Sequence, residues 1–194
     1  MTPSAFQLLS DTIRASQPAG SEALNAALTK LLLDRASTVP DVGSNSPGRS
    51  SFFDNKWLSD TRLYDLPDPA VALLVETVEG SANANPWPHV ASGALLRIMS
   101  MWAIVSKAGM VGRPHNHQGI VSGAYYVDAG ESPDPDDGAL VVYGPTGKVS
   151  SLVRPRSGML LMWPSTMLHG VRRYDGNRPR IVISFNLAAS PPAG

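Results

Sequence analysis

The spacing of hydrophobic residues changes near residue 94 of this chain. Before that point apolar residues recur at intervals of three and four, which predicts helices with one buried face. The first stripe follows the helix-capping pair Thr2-Pro3 and comprises Phe6, Leu9 and Ile13. The second begins just after Ser21 and comprises Leu24, Ala27, Leu28, Leu31 and Leu32. The third begins at Asp68-Pro69, has Gly80 just beyond it and comprises Val71, Leu74, Val75 and Val78.

From residue 94 onward, short segments rich in β-branched and aromatic residues alternate with turn signals. The segments are LLRIMSMWAIVS, SGAYYVDA, GALVVYG, KVSSLVRP, GMLLMWP and RIVISFNL. Turns between them include SPDPDDG, GPTG and DGN. This spacing is typical of an antiparallel sandwich or barrel, so we predict a mainly β fold with N-terminal helices packed on its outside. A loop rich in Ser, Asn, Gly and Pro, residues 41–57, joins the second and third predicted helices.

The length and composition narrow the class of protein. A chain of 194 residues fits one domain, with residues 1–90 as a helical and loop support region and residues 94–188 as the β core. No apolar run is long enough to span a membrane and no secretory signal is visible, so we expect a cytoplasmic protein. The absence of cysteine excludes disulfides, thiolate metal sites and a cysteine nucleophile. Any metal must therefore have nitrogen or oxygen ligands.

The charges balance overall but not locally. Sixteen basic and sixteen acidic residues leave no net field that would recruit nucleic acid or an anionic membrane. Residues 151–194 nevertheless carry six arginines against the single acidic residue Asp175. Such an excess could meet a small anion, because a guanidinium matches a carboxylate in shape.

The four histidines supply the candidate metal ligands. His115 and His117 are two residues apart, so on a strand they would address the same ion. His169 follows after several predicted strands. Neutral imidazoles on neighbouring strands suit Fe, Zn, Cu or Ni. His89 has no partner nearby, and we expect it to be structural.

The pair Asp175-Gly176 predicts a two-residue hairpin turn. Counting outward from it pairs Tyr174 with Asn177, Val171 with Arg180 and His169 with Val182. In this register Arg180 shares a face with His169. Arg173 and Arg178 share that face too, but they lie nearer the turn and the solvent. A buried arginine would imply an anionic ligand or a carboxylate partner. A register slip of one residue would reverse this argument.

Three segments of the chain resemble a known family. GRPHNHQGIVSGAYYVDAGESP, PRSGMLLMWPSTMLHGV and RPRIVISFN are similar, in this order, to the core of the iron(II)/2-oxoglutarate oxygenases, and particularly to a small bacterial group. The similarity spans residues 97–187. It implies a double-stranded β-helix, the cupin-like jelly roll. It also implies an Fe(II)/2-oxoglutarate-dependent dioxygenase, an oxidoreductase that hydroxylates a small molecule or a side chain while 2-oxoglutarate is decarboxylated to succinate.

The resemblance assigns a role to several residues. His115 and His117 occupy the family's His-x-carboxylate motif, His169 occupies the position of the distal histidine, and Arg180 that of the arginine that binds the distal carboxylate of 2-oxoglutarate. Tyr125 shares strand parity with His115, so its hydroxyl could contact the cosubstrate, although core packing explains it equally well. Tyr126 is expected to face the other way. Ser122 and Ser184 match family positions without an assigned role.

His117 departs from the family, which usually has Asp or Glu at this position. The change raises the net charge at the metal by one. Three outcomes stay open: an active three-histidine centre, a carboxylate such as Asp128 or Asp136 that replaces His117 as ligand, or loss of catalysis. Trp163, where the group tends to have Phe, and Gln118, where it tends to have Pro, are smaller departures.

Two further classes compete with this interpretation. The spacing of Gly109 from His115 fits half of a cupin motif, and a three-histidine cupin-type dioxygenase would not use 2-oxoglutarate; the glutamate expected near Gly119 is absent, however. A non-catalytic jelly roll that binds a metal or a small molecule is the other class. The expected partners are a small-molecule substrate and 2-oxoglutarate, without nucleic acid or membrane. Exposed jelly-roll edges often pair, which leaves a homodimer open.

Overall fold

The computed structural model describes residues 7–8, 13–42, 55–84, 86–88, 90–91 and 93–190. In this part of the chain two helices accompany eleven strands. The helices are α1 (Ser21–Thr38) and α2 (Pro69–Asn83), and a short 3-10 turn (Leu63–Asp65) precedes α2. The strands are β1 (Gln7–Leu8), β2 (Arg14–Ser16), β3 (Lys56–Leu58), β4 (Leu95–Ser106), β5 (Met110–His115), β6 (Val121–Asp128), β7 (Leu140–Tyr143), β8 (Val149–Val153), β9 (Leu160–Pro164), β10 (His169–Tyr174) and β11 (Arg180–Ser190).

The strands form two antiparallel sheets that enclose one layer of side chains. The larger sheet has the order β1-β2-β9-β6-β11-β4-β3, and the smaller sheet has the order β5-β10-β7-β8. From β4 to β11 the chain passes back and forth between the two sheets, which is the connectivity of a jelly roll. The predicted fold class, a mainly β jelly roll with helices in the N-terminal half, is confirmed.

Both described helices pack on the outer face of the larger sheet. Each buries a stripe at helical spacing, which consists of Leu24, Leu28 and Leu32 in α1 and of Val71, Leu74 and Val78 in α2. Asp68 caps α2, because its Oδ1 accepts hydrogen bonds from the backbone N–H groups of Ala70 (2.8 Å) and Val71 (3.4 Å). The helix runs past Gly80 to Asn83. Neither helix is long and apolar enough to cross a membrane.

The N-terminal segment differs from its predicted helix. Gln7–Leu8 pairs with Arg14–Ser16, and the latter strand pairs in turn with β9, so this part of the chain extends the larger sheet. Ile13 is fully buried there. The partner strand overrides a helical spacing that only a few residues carried. Thr2, Pro3, Phe6 and Leu9 lie outside the described residues.

The predicted β10–β11 hairpin does not form, and the register counted from Asp175-Gly176 is wrong. β10 pairs with β5 and β7 in the smaller sheet, whereas β11 pairs with β4 and β6 in the larger one. The turn therefore carries the chain from one sheet to the other. Arg180 nevertheless points between the sheets, on the same side as His169, because both residues face the enclosed layer.

Candidate metal centre

Three histidines converge in the layer between the sheets. His115 is the last residue of β5 and His169 the first residue of β10, and the two are direct partners in the ladder. Their ring centroids are 4.5 Å apart. The ring of His117 lies 4.9 Å from that of His115 and 5.0 Å from that of His169. One nitrogen of each imidazole lies within 4.8 Å of the others, so the three side chains can address one ion.

His117 reaches this cluster from a loop. β5 ends at His115, so the expectation that His115 and His117 lie on one strand is wrong. The backbone N–H of His117 instead donates to the carbonyl of Ser165, at 2.9 Å. The ring then packs 5.7 Å from that of Trp102 on β4. The three histidines converge as predicted, but His117 reaches the cluster through this loop contact and not through the strand.

Backbone carbonyls orient two of the imidazoles. His115 Nδ1 lies 2.7 Å from the carbonyl oxygen of Arg113, and His169 Nδ1 lies 3.0 Å from that of Met167. A carbonyl oxygen can only accept, so each Nδ1 carries the proton and each Nε2 keeps its lone pair. This is the tautomer that a metal ligand needs.

The spacing of the inward nitrogens also fits a shared ion. His117 Nε2 lies 3.3 Å from His169 Nε2. Two nitrogens that bind one ion at about 2.0–2.1 Å lie roughly 3 Å apart, so little movement would be needed. Three imidazole nitrogens are a donor set that Fe, Zn, Cu and Ni accept.

Burial keeps the three rings neutral. It lowers the pKa of His117 to about 3, and the neighbouring imidazoles of His169 and His115 lower it further. Burial also lowers the pKa of His169, to about 4, with His115 as a second cause. The pKa of His115 moves in the same direction for the same reason. At neutral pH each ring is therefore in the form that binds a metal.

No carboxylate joins the three histidines within the described ranges. The side chain of Asp128 is engaged by Arg178 and by the backbone N–H of Gly130. Asp136 forms ion pairs with Arg154 (2.6 Å) and Arg172 (3.2 Å). Neither aspartate therefore supplies the alternative ligand considered from the sequence.

A cavity between the sheets adjoins the histidines. Leu140 and Val171 line it from the smaller sheet, and Trp102, Ile104 and Val182 from the larger one. Its polar groups besides the imidazoles belong to Tyr126, Trp163, Arg180 and Ser184. A bound molecule would thus be enclosed by apolar side chains and oriented by a few polar ones.

Arg180 is a buried cation in this cavity and is only 3% exposed. Its Nη2 donates to the carbonyl of Gly138 at 3.0 Å, and its guanidinium carbon lies 5.3 Å from the ring centroid of Tyr126. Among the described residues its Nε has no hydrogen-bond partner, and none of their ion pairs includes it. Burial lowers its pKa. A guanidinium without a carboxylate partner makes the cavity suitable for an anion.

The indole of Trp163 provides a second unpartnered donor. Trp163 lies on β9, is 2% exposed and packs with its ring centroid 4.9 Å from that of His169. Its Nε1 is buried, and no described residue forms a hydrogen bond with it. A buried N–H that lacks a partner costs about 1–3 kcal/mol, so an acceptor in the cavity would recover this energy. The sequence marked this position only as a departure from Phe.

The two tyrosines face in the opposite directions from those expected. Tyr125 points away from the cavity, so the expected contact of its hydroxyl with the cosubstrate is corrected to a contact with α1. Tyr125 faces the helices, and its hydroxyl donates to Asn25 Oδ1 on α1 at 2.7 Å. Tyr126 lines the cavity instead. Strand parity could not be counted from His115 to Tyr125, because β5 and β6 belong to different sheets and the loop between them is not extended.

The remaining candidate residues lie at the surface or outside the described part. Arg173 pairs with Asp175 at 2.6 Å, and Arg178 pairs with Asp128 and Glu131. Both arginines are exposed, as expected from their places near the turn. His89 is outside the described residues.

Comparison with known proteins gives a match to one family model and several similar folds. Residues 100–186 match the family described as "Putative 2OG-Fe(II) oxygenase". A prolyl-4-hydroxylase from Pseudomonas putida superposes with a TM-score of 0.69 and 16% identity, over 95% of this chain and 96% of that one. HygX from Streptomyces hygroscopicus, solved with nickel and 2-oxoglutarate, gives a TM-score of 0.63 and 14% identity, over 91% and 82% of the two chains.

A third similar structure is a prolyl hydroxylase from Trichoplax adhaerens in complex with a hypoxia inducible factor peptide fragment. It has a TM-score of 0.67 and 16% identity, over 93% of this chain and 86% of that one. At these identities the three structures establish the jelly-roll fold. No curated protein matches the sequence significantly.

Proposed function

Because residues 100–186 match the family described as 2OG-Fe(II) oxygenases, we propose that this protein is an Fe(II)- and 2-oxoglutarate-dependent enzyme that hydroxylates a small molecule or a side chain. The observation that carries the proposal is a buried Arg180, without a carboxylate partner among the described residues, in the cavity that adjoins three convergent neutral histidines. A metal site beside an anion site is what a 2-oxo acid cosubstrate requires.

His115, His117 and His169 would hold the Fe(II). Their donor set fits the ion, since all three rings are neutral and two of them are fixed in the tautomer that leaves Nε2 free. Bound together, Fe(II) and 2-oxoglutarate supply the oxidation of a substrate C–H bond by O2, with decarboxylation of the cosubstrate to succinate and CO2.

Arg180 would hold the distal carboxylate of 2-oxoglutarate. Its Nε is the donor left without a partner, and the planar guanidinium can bind a carboxylate through two parallel hydrogen bonds. Tyr126, beside the guanidinium, and the indole N–H of Trp163 are further groups that could orient the anion. The carboxylate would in turn provide the counter-charge that no described side chain gives to buried Arg180.

The apolar wall would exclude water from the bound cosubstrate. Leu140, Val182 and Ile104 surround the polar groups of the cavity, and each is buried. Hydrogen bonds and ion pairs are stronger where water is excluded, so this wall would tighten the contact between Arg180 and the anion.

Anaerobic titration tests the proposal directly. Fe(II) and then 2-oxoglutarate are added to the metal-free protein, and the weak visible charge-transfer band of the chelate is followed. We expect the band in the wild type and its loss in His169→Ala. Fe(II) binding without any 2-oxoglutarate binding would contradict the proposal and favour a cupin-type dioxygenase or a non-catalytic metal protein.

Variants of Arg180 test the anion site in the same titration. Arg180→Ala should weaken 2-oxoglutarate binding by on the order of 2–4 kcal/mol, and Arg180→Lys should lose part of that, because an ammonium keeps the charge without the planar fork. Arg173→Ala, at an exposed arginine paired with Asp175, is the matched control and should leave the affinity unchanged. Equal affinity in the wild type and Arg180→Ala would remove Arg180 from the site.

A further inference from the structure

A chain of buried polar side chains ends next to the loop that carries His117. It comprises Ser165, Ser122, Asn186 and Ser100, which come from four different parts of the larger sheet and its connections. The Ser122 hydroxyl donates to Asn186 Oδ1 at 2.7 Å, and the Asn186 amide donates to Ser100 Oγ at 3.0 Å. Ser165 Oγ and Ser122 Oγ are 2.8 Å apart. Ser122 has one proton, which it gives to Asn186, so the Ser165 hydroxyl is the donor to Ser122.

These side-chain hydrogen bonds fix the position of Ser165. Ser165 and Ser122 are each 1% exposed, so the hydrogen bond between them is shielded from water. Breaking it would leave a buried hydroxyl without a partner, at a cost of about 1–3 kcal/mol. Ser165 is therefore held more firmly than a residue that simply follows the end of β9.

Ser165 in turn fixes both sides of the His117 loop. Its carbonyl accepts from the N–H of His117 at 2.9 Å, and its own N–H donates to the carbonyl of Ile120 at 3.0 Å. The N–H of Ile120 donates to the carbonyl of Leu187 on β11 at 2.8 Å. Residues 116–120 are thus attached to the larger sheet through Ser165 and Leu187.

Gly119 shows how closely this loop is fitted. Its φ is +107°, a conformation that residues with a side chain rarely adopt. A Cβ at this position would lie 2.8 Å from the Leu187 carbonyl oxygen and 3.4 Å from Ser165 Oγ. The loop therefore lies directly against Ser165.

We propose that Ser165, held by Ser122 and Asn186, is the positioning residue that places His117 for metal binding. The inference rests on the proposed function, in which His117 is a ligand. His115 and His169 are held by the β5–β10 ladder, whereas His117 lies beyond the end of β5. A ligand on a loop loses conformational freedom when it binds, and prior fixation of the loop lowers that cost. The proposal also gives a role to Ser122, which the sequence marked without one.

Metal affinity of single variants is the first test. Ser165→Ala and Ser122→Ala should each weaken Fe(II) binding about tenfold, as is usual when a group that supports a metal ligand is removed. Ser59→Ala is the matched control: Ser59 is also buried, and its hydroxyl accepts from the Ala103 N–H and donates to the Asp60 carbonyl. That variant should lose stability without losing Fe(II) affinity. Equal affinities in the three variants and the wild type would overturn the inference.

A double variant shows whether the effect passes through His117. In a His117→Ala background, Ser165→Ala should cause no further loss of Fe(II) affinity, because the ligand that Ser165 positions is absent. A full additional loss would overturn the inference and mark Ser165 as a general structural residue. The visible absorption of bound Co(II) provides an independent signature, which should change in Ser165→Ala and stay unchanged in Ser59→Ala.

These outcomes separate the inference from the proposed function. A wild-type protein that binds no Fe(II), or whose affinity is unaffected by His117→Ala, overturns the proposed three-histidine centre and the inference with it. A wild type that depends on His117 but is indifferent to Ser165 and Ser122 overturns the inference alone. Because two residues of the same chain are tested, the inference does not depend on the folding of a single variant.

Discussion

His117 is the residue at which this chain differs most from the family that it resembles. Three neutral imidazoles leave a divalent ion with its full charge, whereas a carboxylate in place of one of them would lower the net charge of the site by one. Burial supports this arrangement, since it lowers the pKa of His117 to about 3 and so keeps the ring neutral. The charge of the proposed centre therefore depends on one side chain.

Substitution of that side chain tests the role of the charge. His117→Asp should still bind Fe(II), within about tenfold of the wild type, because it restores a carboxylate donor of the kind that Fe(II) accepts. In His117→Asn the asparagine has the same shape as aspartate but no charge, so this variant should bind Fe(II) more weakly than His117→Asp. Iron content and Fe(II) affinity are the measurements. Complete loss of iron in His117→Asp would show that the loop cannot present a shorter ligand.

Trp163 is the other residue whose environment implies a ligand. Trp163→Phe keeps an aromatic ring beside His169 and removes the unpartnered indole N–H. We expect 2-oxoglutarate binding to weaken about ten- to a hundredfold and Fe(II) binding to stay unchanged, because a hydrogen bond to a charged group contributes about 1.5–3 kcal/mol.

Trp57→Phe is the control for the loss of an indole. The N–H of Trp57 already donates to the Val39 carbonyl, at 2.9 Å, and its ring packs with the helices. That variant should lose stability and keep its affinity for 2-oxoglutarate. A similar loss of affinity in both variants would show that Trp163 acts through packing alone.

At the scale of elements, the helices depend on local signals and the metal-bearing strands on their partners. α2 begins where Asp68 and Pro69 predict it, because a cap needs only the two N–H groups that follow it. β5 and β10, by contrast, align His115 with His169 through pairing between residues far apart in the sequence. A local signal can be tested by a local change.

Asp68→Ala should destabilise the protein by about 1 kcal/mol, because two N–H groups of the first turn of α2 lose their acceptor. Asp68→Asn is the matched control, since an asparagine side chain caps a helix about as well as aspartate does. Urea unfolding of the metal-free protein measures both. If Asp68→Asn lost as much stability as Asp68→Ala, the charge of Asp68 and not its capping hydrogen bonds would be what stabilises α2. The expected Fe(II) affinity is unchanged in both variants.

At the scale of the whole molecule, the larger sheet separates two chemical environments. Its inner face lines the metal and anion sites, and its outer face packs against α1 and α2. Adjacent residues of one strand therefore serve different purposes, as Tyr125 and Tyr126 show. Tyr125 links the sheet to α1 through Asn25, and burial raises its pKa to about 12.

This shift predicts a loss of stability in alkaline solution. The tyrosine hydroxyl loses its proton at a pH of about 10 in the unfolded chain, whereas in the fold it keeps the proton up to a pH of about 12. The contribution of Tyr125 to stability is therefore complete below a pH of about 10 and is lost as the pH rises towards about 12. In Tyr125→Phe the free energy of unfolding should fall by about 1–2 kcal/mol less than in the wild type over this pH range. Urea unfolding at a series of alkaline pH values measures it. Parallel stability curves for the wild type and Tyr125→Phe would contradict the assignment.

The fold class and most of its elements follow from the sequence alone. The stripes predict α1 and α2, and the segment LLRIMSMWAIVS coincides with β4, because both patterns are properties of neighbouring residues. β10 and β5 have weaker signals in the sequence, because His, Gly, Arg and Pro interrupt their hydrophobic patterns. The division into one domain of residues 1–194, with 1–90 as support, stays a prediction.

The candidate site was determined only in part by the sequence. The types of residue, three histidines and an arginine in family positions, are visible in the chain itself, and the tertiary structure brings all four into one cavity. Which tyrosine faces that cavity depended on the assignment of β5 and β6 to different sheets. The contact that holds His117 depended on Ser165, which lies far along the chain. Residue identity fixes which chemistry is available, whereas distances between remote residues arise only when the two sheets close on each other.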